Sequence, residues 1–385
     1  MEKKILMVSS FYPPYHVGGA GTHVYYLANK LAKLGHKVDV LFSLDAFRLK
    51  RKHKSQGNYS NHKNVQLIPV KSKFGRLAPL FSYITGKVFS KNVIEKVFQR
   101  NYDLIHYHNI SLFGPEILSF GRARKILTAH DHWLVCPYND FFDGRRKCEG
   151  AGKIKCQLCL LRNKRPIQIW RWSNAIKKAL ANINCIISPS TYLQNFLLSN
   201  SIPNKIKVIP NFILHEKVKK EKQNFFLFAG MLEPLKGITT LLKAFEKNEK
   251  LIIAGTGSML KKVKKAAKNN PHINFVGWVG KEKLFELYSS ATAFILPSVA
   301  PENCPNSILE AMSCGTPSIG PNVGGIPDLL NCLDPFLLFQ PGNVSGLKKA
   351  IQYAKNKEWN NEKIKGIFQK NFSEKKYLEM YLKLI

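Results

Sequence analysis

The chain has 385 residues, 45% of them hydrophobic and 11% aromatic, a length and balance that predict two domains with separate cores and exclude a peptide or lone module. No apolar run approaches the roughly 18–20 residues of a membrane span, and the opening MEKKILMV enters a strand-like run with no signal-peptide core, so an unexported, cytoplasmic, soluble or peripheral protein is expected. Lys and Arg number 59 against 25 Asp and Glu, a net +34, and residues 1–210 hold 34 of the former and 10 of the latter, so the first half calls for a polyanion: nucleic acid, an anionic membrane face or a phosphorylated substrate.

Short Val- and Ile-rich runs alternate with longer stretches of helical period, the pattern of βαβ units around parallel sheets, so the class is α/β. The first unit reads as strand Ile5–Ser9, a Gly-rich turn, a helix near Thr22–Leu34 closed by Gly35, and strand Lys37–Phe42. Further strands are expected at Val65–Val70, Leu104–Tyr107, Lys125–Ala129, Cys185–Ser188 and Lys207–Ile209. A second series is expected at Phe225–Ala229, Leu251–Ala254, Ile273–Val276, Ala293–Leu296 and Pro317–Gly320, after a polar, aperiodic boundary at Pro210–Asn224. Two open sheets of this kind bind ligands beyond the carboxyl ends of their strands, in the cleft between them.

The richest segment is Pro297–Gly325, PSVAPENCPNSILEAMSCGTPSIGPNVGG. Pro305 prevents one helix from carrying both Glu302 and Glu310, which puts Glu302 on a loop. Asn306 is read as the N-cap of a helix Ser307–Ser313 stopped by Gly315, with Glu310 one turn inside and free amides at Ser307, Ile308 and Leu309 suited to a diphosphate. Carboxylates beside a phosphate site serve as acceptors for sugar or ribose hydroxyls, which describes a nucleotide sugar.

With V-G-G-I-P following, this segment resembles the E-x7-E region of glycosyltransferase family 4, the retaining GT-B "group 1" enzymes, and the likeness extends over nearly the whole chain. The resemblance implies two Rossmann-like domains facing across a cleft. Residues 1–212 would bind the acceptor, with a Cys-rich insertion at about 136–165; residues 213–365 would bind the nucleotide sugar; and 366–385 would form a helix packing back on the first domain. It also implies that Glu302 binds donor-sugar hydroxyls, that Glu310 binds the ribose, and that the backbone of Asn303, Cys304, Pro305, Asn306 and Ser307 meets sugar and phosphates.

Upstream, FAGMLEPLKG at Phe228–Gly237 is similar to the family's phosphate-binding strand end: Gly230 allows close backbone approach and Lys236 fits the diphosphate lysine, while Met231 stands where an Arg is usual. Ile252–Ser258 reads as a tight turn into a helix, and the resemblance places Gly255 and Gly257 near the base. Gly18, Gly19 and Gly21 lack the third glycine of a dinucleotide fingerprint, which argues against a dehydrogenase, and match the family loop that reaches the donor phosphates. His130, opening HDHWLVCP after a strand, corresponds to the histidine near the donor sugar, with Asp131 and His132 able to pair with each other. The catalytic set is therefore His130, Glu302 and Lys236, with Lys236 and the helix amides stabilising a departing diphosphate, no cofactor required, and retention implied.

Cys136, Cys148, Cys156 and Cys159 follow C-x11-C-x7-C-x2-C and have two readings, a structural zinc stapling Tyr138–Arg165 or free thiols. Basic runs at Arg48–Lys54, Arg122–Lys125 and Arg162–Trp172, the last interleaving Trp170 and Trp172, together with apolar Phe74–Lys91, suggest an interfacial helix and docking on an anionic membrane. The expectation is an NDP-sugar transferase acting on a glycan or lipid-linked acceptor in surface polysaccharide or glycolipid synthesis. The alternatives are a basic nucleic-acid-binding protein, which lacks any recognisable motif of that class, and a nucleotide-sugar-binding scaffold without turnover.

Overall fold

The computed structural model describes residues 2–51, 57–89, 91–143, 148–202, 205–214, 218, 220–245 and 249–385. The first sheet contains β1 (Lys4–Val8), β2 (Lys37–Ser43), β3 (Val65–Val70), β4 (Leu104–Tyr107), β5 (Arg124–Thr128), β6 (Cys185–Ser188) and β7 (Ile206–Val208), in the order β3-β2-β1-β4-β5-β6-β7. The second contains β8 (Phe226–Ala229), β9 (Leu251–Ala254), β10 (Ile273–Gly277), β11 (Ala293–Ile295), β12 (Ser318–Pro321) and β13 (Leu338–Phe339), in the order β10-β9-β8-β11-β12-β13. Every pairing is parallel. Helices cover both faces of such sheets, which is why Ile5, Leu6, Met7 and Val8 on β1, and Phe226, Leu227 and Phe228 on β8, are wholly buried without alternation.

Strand order reverses between β1 and β4 in one sheet and between β8 and β11 in the other. These reversals open the crevices into which loops at the carboxyl ends project. The helix Asn361–Phe372 buries Ile364, Phe368 and Phe372 in the core of the second sheet. After a break at Ser373, the helix Glu374–Leu382 buries Tyr377 and Tyr381 against β1 and its neighbours in the first.

Four local expectations change. The first helix spans Gly18–Lys33, so Gly18, Gly19 and Gly21 form its opening turn rather than a loop before it. The helix after Glu302 is Asn306–Ser313, preceded by Pro305, and the Asn306 side chain does not cap it; the Ile308 N–H instead donates to the Pro305 carbonyl. No interfacial helix carries the two tryptophans: Ile169–Trp172 is a single 3-10 turn in which Trp170 is buried, its indole donating to the Tyr83 carbonyl, while Arg171 donates to Gln168 and to the Trp133 carbonyl. The two-residue edge strand β13 was not anticipated. Positions 52–54 of the basic run, and 215–217 and 219 of the expected boundary, lie outside the described residues.

Candidate active site

Loops after β1, β4 and β5 face loops after β8 and β11 across a cleft of about 410 Å³. One wall carries Gly19, Ala20, Asn109, His130, Asp131, His132, Asn139 and Asp140; the other carries Lys236 and the run Pro301–Ser307. A larger cavity, about 610 Å³, lies at the amino ends of β4 and β5 beside Arg100, Tyr102 and Arg122 and contains none of the candidate residues. The smaller cleft is the site because the acid, base and amide groups converge there.

Lys236 ends a 3-10 turn that Pro234 starts and Gly237 closes at φ 71°. A Cβ on Gly237 would sit 1.8 Å from the Pro297 carbonyl oxygen, so only glycine lets the lysine turn lie against the Glu302 loop. The Lys236 ammonium then donates to Glu302 Oε1 at 2.5 Å, and the Ser298 hydroxyl donates to the same oxygen at 2.6 Å. Burial pushes the Glu302 carboxyl up, but the Lys236 charge, these hydrogen bonds and His132 outweigh it and hold the group below the usual range. Glu302 is thus a carboxylate, and both contacts named among the described residues fall on Oε1.

Asn306 opens its helix at the floor of the cleft, where its Oδ1 accepts from Asn211 Nδ2 at 3.4 Å and its Nδ2 lies 3.4 Å from the place a Cβ on Gly19 would occupy. Asn303 Nδ2 donates to the His130 carbonyl at 3.0 Å across the cleft, and its Oδ1 is buried without a partner. The Cys304 thiol faces the second core, where burial pushes it up to about 12, so only its backbone serves the site.

His130, half-buried at the cleft wall, meets three buried histidines in one group. Its Nε2 is hydrogen-bonded to His108 Nδ1 at 3.0 Å; the His106 and His108 rings are 3.9 Å apart; His23 lies 5.3 Å from His130 by ring centres. The tyrosines of the last helix complete it, Tyr377 with His23 Nε2 at 3.2 Å and Tyr381 with His106 Nδ1 at 2.9 Å. Burial lowers His130 to about 4, and the other three are held well below the ordinary value, so all four are neutral at pH 7. His106 and His108, two apart at the end of β4, project to one face, a spacing visible in the sequence and not singled out there.

Asp131 and His132 do not pair with each other. Asp131 accepts from the Trp133 N–H and from Asn139 Nδ2, while His132 engages the Asn139 carbonyl and the Tyr192 hydroxyl.

Other expected residues lie off this cleft. Glu310, one turn into its helix, accepts from the Tyr288 hydroxyl at 3.0 Å, and burial raises it to about 7. Gly255 and Gly257 pack against the backbone of the β8 end, where a Cβ would meet the Gly230 and Leu232 carbonyl oxygens at 1.9 and 2.5 Å. Gly18 and Gly21 lie outside the lining, and Met231 is half exposed. Asn109, Asn139, Asp140 and Asn211 line the cleft without having been anticipated.

The four cysteines of the 136–165 insertion lie near one another. Cys136, Cys148, Cys156 and Cys159 do line one small pocket, yet among the described residues no three Cys, His, Asp or Glu side chains come together as a metal-holding group. Burial pushes the Cys136 thiol up to about 11, and the Cys148 thiol donates to the Gly150 carbonyl.

Residues 17–217 match the family described as Glycosyltransferase Family 4, and residues 211–378 match Glycosyl transferases group 1. The O-antigen chain mannosyltransferase C of Escherichia coli is 25% identical over 397 aligned positions, covering 98% of this chain and 94% of that protein. Among solved structures, the sucrose-phosphate synthase of Thermosynechococcus elongatus superposes with a TM-score of 0.71 at 19% identity over 99% of this chain and 98% of its own. Anabaena HepE in complex with UDP and glucose superposes at 0.64 with 18% identity over 99% of each chain. The fold is that of the GT-B transferases, two parallel sheets facing across a cleft. The chain belongs to the family 4, group 1 glycosyltransferases and is a glycosyl-transferring enzyme.

Proposed function

We propose that the enzyme transfers a sugar, with retention, from a nucleoside-diphosphate sugar to a glycan or lipid-linked acceptor in surface polysaccharide or glycolipid synthesis. The observation that carries this is the convergence, on one wall of the cleft, of the Lys236 ammonium, the Glu302 carboxylate and the amino end of the Asn306–Ser313 helix. A diphosphate is met by the cation and by the helix end, whose dipole favours an anion. Glu302 accepts from hydroxyls of the transferred sugar, and Glu310, beside Tyr288, accepts from the ribose. His130, neutral and anchored by His108, offers its ring to the sugar rather than a proton. As the bond to the anomeric carbon breaks, charge grows on the departing oxygens, where Lys236 stabilises it. The mannosyltransferase relative and the neighbour solved with UDP and glucose support a hexose on a nucleoside diphosphate.

The half spanning 1–212 would then present the acceptor, and the half spanning 213–365 would bind the donor. We assign the excess positive charge to the donor diphosphate and to an anionic membrane on the cytoplasmic side, not to nucleic acid. Among the described residues no helix is long and apolar enough to cross a membrane. The first half instead exposes Phe74, Leu77, Phe81, Ile169 and Trp172 among lysines and arginines, as a surface resting on lipid would.

Calorimetry and thermal shift with UDP, GDP, ADP and their hexose conjugates test this, on wild type and Glu310→Ala. One nucleotide should stabilise the wild type selectively and lose that effect in the variant. Failure of every nucleotide to bind would overturn the donor assignment.

A further inference from the structure

Among the described residues, Asp140 is the carboxylate on the first wall of the cleft without a hydrogen-bond partner, whereas Asp131 accepts from the Trp133 N–H and Asn139 Nδ2. It sits between two non-glycine residues held in the left-handed region, Asn139 at φ 79° and Phe141 at φ 48°. Such backbone is strained for a bulky residue and persists only where the surroundings enforce it. Both neighbours are locked. The Asn139 carbonyl accepts from the His132 N–H at 3.1 Å, and Asn139 Nδ2 donates to Asp131 Oδ2 at 3.1 Å. Phe141 is buried with its ring 4.6 Å from that of Phe196, and its carbonyl accepts from the Cys148 N–H at 3.0 Å. The chain is thus bent on either side of Asp140, which stands at the cleft with no hydrogen-bond partner among the described residues.

The charges facing it are Arg165, Asp131, Glu302 and Lys236. Burial raises its carboxyl to about 6, Arg165 and Lys236 act downward, and Asp131 and Glu302 upward, so it is ionised at neutral pH. A diphosphate has no place beside it, since the groups that receive an anion, Lys236 and the helix end, stand on the opposite wall. What a lone carboxylate holds well is a hydroxyl.

We infer that Asp140 is the acceptor-recognition carboxylate, accepting a hydrogen bond from a hydroxyl of an uncharged sugar bound on the first wall of the cleft. This rests on the transferase reading above and deepens it: the acceptor's terminal unit is neutral and polyhydroxylated, and one bearing a phosphate or carboxylate there is repelled.

The test uses octyl α-mannoside and octyl α-glucoside as acceptors, with GDP-mannose and UDP-glucose as donors, on wild type, Asp140→Asn and Asp140→Glu. The expected result is an acceptor KM raised about 10–100-fold in Asp140→Asn, partial recovery in Asp140→Glu, and nucleoside-diphosphate Kd within twofold of wild type in both. The wild-type acceptor KM should also rise as pH falls through about 6, and that limb should vanish in Asp140→Asn. An unchanged acceptor KM, a raised donor KM in its place, unfolding of both variants, or a nucleotide-binding wild type that accepts neither glycoside would each overturn the assignment. A wild type that binds no nucleoside diphosphate overturns the transferase reading itself, and the two failures are told apart by that binding measurement.

Discussion

The ammonium of Lys236 and Oε1 of Glu302 are 2.5 Å apart, so the cation that would meet a diphosphate and the anion that would meet a sugar hydroxyl hold each other. Each keeps 18% of its side chain exposed, so the pair is largely but not wholly withdrawn from water. A donor that engages both must loosen this contact, and its two ends compete with groups already in place.

From this pairing, Glu302→Gln should have opposite effects on binding and turnover. The freed lysine should bind bare nucleoside diphosphate about 3–10-fold more tightly, since a gain of ~1 kcal/mol is typical for releasing a partly exposed ion pair. Transfer should fall by about 100-fold or more through loss of the hydroxyl acceptor. Calorimetry and a transfer assay on the same preparation read both, and weaker nucleotide binding in Glu302→Gln would show that the pair does not restrain Lys236.

The histidine group sets an acid limit on stability. His23, His106, His108 and His130 have folded-state values below the ordinary 6.5, so the unfolded chain binds more protons as pH falls. Stability is therefore fully present above about 6.5 and declines toward 4, each histidine contributing about 1.4 kcal/mol per pH unit while the unfolded chain alone is charged. Glu310, raised to about 7, and Asp140, raised to about 6, act in the opposite sense between their unfolded values and those pH values, while His132, lowered to about 4, adds to the histidine side. Urea midpoints should drop between pH 6.5 and 4.5, and the slope should flatten in His108→Asn; a midpoint constant over that range would contradict the neutral assignment.

Gly237 tests the contact that seats Lys236. Gly237→Ala places a methyl 1.8 Å from the Pro297 oxygen at a φ of 71°, so the turn must move. A loss of about 2–4 kcal/mol is expected from strain and overpacking combined, readable as a shift in urea midpoint, along with weakened nucleotide binding.

Lipid association should depend on the exposed apolar side chains as well as on charge. Leu77 and Trp172 are 63% and 46% exposed, and Leu77→Ser with Trp172→Ser should reduce co-sedimentation with phosphatidylglycerol vesicles while leaving soluble-nucleotide affinity unchanged. Binding that ignores both the substitutions and the lipid charge would remove the membrane from the proposal.

The strand plan was legible because parallel strands, buried on both faces, appear as short Val- and Ile-rich runs between helical stretches. Only Leu338–Phe339, two residues on an edge, carries no such signal. At the site, Glu302 and Lys236 could be found because their turn-forming neighbours Pro305 and Gly237 mark where loops must be. Asp140 could not: its placement depends on Asn139 and Phe141 both adopting left-handed backbone under tertiary restraint, and although Asn tolerates that region, nothing about a Phe announces it. The tryptophans misled for a related reason, since alternation with arginine looks interfacial while Trp170 and Arg171 turn inward to satisfy carbonyls of neighbouring loops.

The return of the last helix has a mechanical consequence. The polypeptide passes from the first sheet to the second between Val208 and Phe226 and comes back at Ser373, where Glu374 pairs with Lys30 and the Leu384 carbonyl accepts from Arg124. The two halves are tied at two places rather than one, so a cut through either crossing alone leaves them joined through the other.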